Sequence, residues 1–170
     1  MTRKNRSDQE KKLGRRNVKY ELQMLNAGVE AKVKHLCIPK EKRDAFIGSA
    51  FTDSILLHVR NLFDFFKHPS AKDYVRAKDF LQNKPWIPTK FKKIDNRLIK
   101  EINIYRSHIS YSRKMGVEKP KWKVEELQEM RDEIFEVYEE FVAKLPALER
   151  PNWKIQNKNK INILCLNITS

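Results

Sequence analysis

The chain of 170 residues has four glycines, two cysteines and no apolar run near the roughly 20 residues a bilayer span needs. So few glycines argue against Gly-rich phosphate loops and against a turn-rich all-β architecture. Cys37 and Cys165 are too few for a disulfide framework or a zinc site, and read as reduced thiols. The N-terminal "MTRKNRSDQEKKLGRR" has no apolar segment of the signal-peptide kind, so a cytoplasmic location without membrane contact is expected. No serine or cysteine nucleophile motif appears. Helix-borne Glu-x-x-His pairs, which a di-metal bundle requires, are missing too. No metal site and no cofactor is expected.

What the chain has is positive charge. Lys and Arg number 36 against 22 Asp and Glu, a net charge of +14. The excess is uneven: residues 1–43 carry thirteen Lys or Arg against five acids, and residues 67–122 fifteen against five. Residues 123–149 reverse the sign, with three against nine. A basic surface draws phosphate, so a nucleic acid or another polyanion is implied. A Lys-rich proteome would also raise the charge, and net charge by itself speaks to non-specific association, not to fold.

Apolar residues recur at three- and four-residue steps along most of the chain, which predicts an all-α, single-domain bundle of about five amphipathic helices. Residues 1–16 are polar, basic and aperiodic and read as a flexible arm. Residues 17–148 form the helical domain and 149–170 a tail ending in the apolar "INILCLNITS". Val18, Leu22, Leu25, Val29, Val33 and Leu36 predict the first helix, Val18–Leu36. The second runs from Lys42 to Lys67 and stops before Pro69. A short third is placed at Ala71–Gln82, a fourth at Phe91–Arg113 and a fifth at Val124–Lys144. The glutamates of the fifth read as a solvated face.

Two stretches hold the candidate chemistry. In "LLHVRNLFDFF", His58 falls on the apolar arc with Phe51, Ile55 and Leu62, where a core histidine bonded to a neighbouring helix is the simplest expectation. Arg60 falls almost opposite, next to Asp53 and Asp64, as expected of a surface pair with Asp64. In "INIYRSHISYSR", His108 lies on one flank of an apolar stripe and Arg106 and Arg113 on the other. A histidine can serve as a base near neutral pH, and an arginine can hold a phosphate bidentately. The candidate catalytic set is therefore His108, Arg113, His58 and Arg60. The candidate nucleic-acid set is Arg15, Arg16, Lys90, Lys92, Lys93, Arg97 and Arg106, from the two most basic regions.

"HVRNLFDFF", then "KDYVRAKDFL", a Trp-containing loop and "HISYSR" resemble an uncharacterised bacterial all-helical family. Its members share a His-x-Arg-Asn-Leu-x-x-Phe-Phe helix and a later His-[Leu/Ile]-[Thr/Ser]-Tyr-x-Arg segment. The resemblance covers roughly residues 45–113. More distantly the layout resembles the HEPN superfamily, whose bundles often dimerise and include metal-independent endoribonucleases. Their signature is an arginine, usually followed by a polar residue, then a histidine after about four to six intervening residues. Here His68 follows Arg60–Asn61 after seven, and Glu101, Ile102 and Asn103 stand where His108 would need an arginine. The resemblance thus implies a protein of bacterial defence or mobile-element type that binds nucleic acid without an intact catalytic motif. The expected partner is nucleic acid, RNA ahead of DNA, or else a protein, including a second copy in a homodimer. An active endoribonuclease is the remaining alternative.

Overall fold

The computed structural model describes residues 6–67, 75–81, 86–104 and 120–155. Its first helix, α1 (Asp8–Leu36), runs 29 residues, about 44 Å at 1.5 Å per residue. It starts ten residues earlier than apolar periodicity suggests, so residues 8–16 are helix where an arm was expected. The reason lies in Ser7 and Glu10, which form a reciprocal capping box: Glu10 N–H donates to Ser7 Oγ at 3.2 Å and Ser7 N–H to Glu10 Oε2 at 2.8 Å.

Helix α2 (Ala45–Lys67) packs along α1, and the two form the most extensive helix pair. It begins three residues later than expected because the Asp44 carboxylate accepts the N–H groups of Phe46 and Ile47, a side-chain cap at its start. Gly28 lets the helices meet: a Cβ there would stand 3.0 Å from Ile55 Cγ1. Leu22, Leu25 and Val29 of α1 and Ile55, Val59 and Leu62 of α2 are fully buried. Each such side chain contributes about 1.5–3 kcal/mol.

The expected third helix is not continuous. Its described part, residues 75–81, holds one 3₁₀ turn at Ala77–Asp79, capped at its start where the Asp79 carboxylate takes the Arg76 N–H at 2.9 Å. The expected fourth helix starts late, as α3 (Asn96–Ile102), because Asp95 caps it and the preceding N–H groups bond to a carboxylate instead. A tighter-bonded α-helical course then gives way to a π turn at Asn103 and Ile104. Helix α4 (Val124–Lys144) matches the sequence expectation residue for residue. A 3₁₀ turn, Arg150–Trp153, folds back on it. The described residues thus hold four α-helices and no strand, an all-α bundle with one fewer α-helix than expected. No described helix is long and apolar enough to cross a membrane.

One end of the core is aromatic. Trp153 is 0% exposed, with ring centroids 4.8 Å from Phe80 and 4.9 Å from Phe141, both edge-on, the arrangement ring quadrupoles favour. The Tyr138 hydroxyl donates to the Trp153 carbonyl, and burial pushes that phenol well above its usual range. Trp153 lies beyond residue 148, where the helical domain was expected to end, yet it is part of the core.

Candidate functional site

Periodicity places His58 on the buried side of α2, and the structure gives it a partner on α1. Its Nδ1–H donates to Glu21 Oε2 at 2.6 Å, and Asn61 Nδ2–H donates to the same oxygen at 3.1 Å. Tyr20 stands edge-on to the imidazole at 6.3 Å. A carboxylate held by two donors pins α1 to α2, so the dyad is first a structural clasp. His58→Ala is expected to lower stability by about 1–3 kcal/mol, by losing the bond and leaving Glu21 half-satisfied. Arg60→Ala should stay within about 0.5 kcal/mol. Urea unfolding of the two variants checks the contrast.

Arg60 is not the surface partner of Asp64 that the sequence suggests. Among the described residues no hydrogen bond or ion pair joins them, and the buried Arg60 Nε has no partner at all. Both residues line a cleft of about 730 Å³ between the first turns of α1, the last turns of α2 and the Val75–Arg76 segment. Gly14 shapes its closed end, since a Cβ there would come within 2.5 Å of Val75 Cγ1. Leu62 and Phe65 supply apolar wall, while Asn17, Glu21 and Asn61 add polar groups. His58 does not line the cleft. It stands behind Glu21, so His58 and Arg60 do not share one site.

The second feature is the solvent face of α1. Lys12, Arg16 and Lys19 follow at four- and three-residue steps, so they share one side of α1, flanking the buried Val18, Leu22 and Leu25, with Lys12 and Arg16 exposed and Lys19 half-buried. Tyr20, 54% exposed, lies next to them, and these residues line an open groove with Gln9 and Gln23. Among the described residues none of the three cations has a counter-ion. Arg15, in contrast, pairs with Glu149 at 3.1 Å.

The lysines of the 86–95 segment sit in a different field. Glu133, only 8% exposed, accepts the backbone N–H groups of Lys92, Lys93 and Ile94, each at 2.9 Å at the nearest oxygen. Glu140 takes the Trp86 indole N–H at 3.1 Å and the Thr89 N–H at 3.0 Å. The Lys93 ammonium pairs with Glu129. The glutamates of α4 are therefore not all a solvated face: two of them anchor this segment. The side chains of Lys90, Lys92 and Arg97 are exposed, but carboxylates of α4 stand beside the segment and offset its charge. Arg106, His108 and Arg113 lie outside the described residues.

Sequence reading missed Glu21, Asn61, Lys12, Lys19 and Tyr20. The capping box at Ser7 was the available signal for the last three, because a helix through residues 8–20 puts them on one face. Glu21 had no such signal, since its partners come from another helix. Among the described residues no cluster of three His, Cys, Asp or Glu could hold a metal ion. Comparison of the chain with family models, curated proteins and solved structures returns no match, so its site stands on its own geometry.

Proposed function

We propose that the protein binds single-stranded nucleic acid, RNA ahead of DNA, along the solvent face of α1, and does not cleave it. The observation that carries this reading is the row Lys12, Arg16 and Lys19 beside exposed Tyr20 on one rigid helix. Unpaired cations at helical steps offer phosphates a fixed track, and an exposed phenol ring offers bases a stacking surface. Splayed, unstacked bases are available in single strands and not inside a duplex, whose narrow A-form major groove excludes side chains. The resemblance to HEPN-like bundles supports RNA as the partner. The interrupted spacing between arginine and histidine supports binding without catalysis.

The test is fluorescence anisotropy with labelled single-stranded RNA. The triple charge reversal Lys12→Glu, Arg16→Glu and Lys19→Glu should weaken binding by roughly tenfold or more, because it removes three phosphate contacts and adds repulsion. None of the three is a buried core residue, so the helical circular dichroism spectrum should be kept. The RNA should remain intact with or without EDTA. Unchanged affinity in the triple variant would rule out this face.

A second reading, a non-catalytic protein-interaction module, has its own support. Phe46 is 82% exposed at the start of α2, and Ile47 and Leu57 are also exposed on that helix. Apolar side chains uncovered on one helix are what a protein partner or a second copy would bury.

A further inference from the structure

The cleft and the basic face are adjacent. Leu13, exposed on α1, lines both, so a strand held along Lys12, Arg16 and Lys19 passes the mouth of the cleft. Its volume of about 730 Å³ falls within the roughly 300–1,000 Å³ of small-molecule clefts. Val18, Leu62 and Phe65 make part of the wall apolar, among charged side chains that include Glu21 and Arg76, which suits a flat ring with polar edges.

Two unpartnered groups of opposite charge decide what such a ring must carry. Arg60 and Asp64 are one helical turn apart on α2, a spacing that sets Cβ atoms roughly 5–6 Å from each other. Among the described residues neither has a partner, which leaves the guanidinium, its buried Nε included, with unused donors and the carboxylate with unused acceptors. Both residues are half-buried, with the Arg60 Nε fully so, and a ligand with acceptors beside donors satisfies both. Guanine alone among the four RNA bases has this edge. Its N7 and O6 accept from an arginine bidentately, and its N1–H and N2–H groups run parallel toward a carboxylate. Adenine lacks the O6 acceptor, and the pyrimidines offer no two-acceptor edge beside a two-donor edge.

We propose that the cleft is a guanine pocket, receiving one unstacked guanosine of the RNA strand that the α1 face holds, with Arg60 on N7 and O6 and Asp64 on N1–H and N2–H. This rests on the proposed function, and the test separates the two. A labelled oligouridylate carrying one central guanosine is compared with the same strand carrying an abasic site or an adenosine there. All three have the same phosphates, so their affinity ratio cancels the contribution of the basic face. The native protein should prefer the guanosine strand by roughly tenfold, the scale of one good bidentate contact. Asp64→Asn should abolish the preference, because an amide cannot accept both donors. Asn17→Trp, which fills the cleft from the exposed side of α1, should do the same. Equal affinity for the guanosine and abasic strands, with RNA still bound, overturns the pocket and leaves the basic face standing. Failure to bind any of the three strands overturns both together.

Discussion

Trp153→Ala is expected to lower the free energy of unfolding by about 3–5 kcal/mol, the range for removing a fully buried large aromatic. The indole touches Phe80 and Phe141 edge-on and stands close to Phe65 and Tyr138, so its loss opens a cavity lined by four other rings. Domains of this kind have about 5–15 kcal/mol in total, so the variant should be near the limit of stable folding. Truncation after residue 148 should act as strongly, because it removes the same side chain. Urea unfolding followed by circular dichroism measures both. A loss under about 1 kcal/mol would show that the 150–153 turn is not part of the core. The same region sets an alkaline limit. Burial raises the Tyr138 phenol in the folded state, so the folded chain keeps a proton that the unfolded chain loses from about pH 10. Its contribution to stability is therefore complete below that pH and declines as the pH rises above it.

Glu133→Ala is expected to cost about 2–4 kcal/mol. The carboxylate accepts three consecutive backbone N–H groups, and the one on Ile94 is buried beyond the reach of water. Stranding that donor costs about 1–3 kcal/mol, and the two part-buried donors of Lys92 and Lys93 add less because solvent can replace part of what they lose. Glu133→Gln keeps one carbonyl acceptor and should cost about half as much. Hydrogen exchange localises the effect: protection at Lys92, Lys93 and Ile94 should fall first, while the α1–α2 pair keeps its own. Uniform loss of protection across the chain would mean that the segment is not separately anchored.

These two residues also show where sequence reading stops. Apolar periodicity located α4 to the residue and ended α2 at Lys67, because both helices bury a wide stripe and their breakers are prolines and caps. It missed the start of α1, where residues 8–13 bury nothing fully and only Gly14 and Val18 begin the buried face. Ser7 and Glu10 marked that start by capping chemistry, a signal independent of hydrophobicity. Glu133 was unreadable for another reason. Its role depends on N–H groups about 40 positions away in sequence, and no local pattern distinguishes such a glutamate from its solvated neighbours. The candidate site divides in the same way. His58 was legible as a core histidine because its own helix determines its burial, whereas its partner Glu21 was not. Arg60 and Asp64 looked like an ordinary i, i+4 pair, and only tertiary structure shows them separately lining a cleft. Arg15 and Arg16 were named from composition, but Arg15 is paired with Glu149. Among the described residues Arg16 and its neighbours Lys12 and Lys19 have no counter-ion.

A phosphate track on the α1 face makes affinity for single-stranded RNA fall with salt, and a salt series measures this. Each phosphate contact releases counterions and contributes about −0.7 to the slope of log affinity against log salt for single strands. Three contacts from Lys12, Arg16 and Lys19 predict a straight line with a slope of about −2 for the native protein. The triple charge-reversed variant should bind at least about tenfold more weakly at low salt and show a slope near zero. A native affinity independent of salt, or absence of binding at low salt, would show that the α1 face is not a phosphate track.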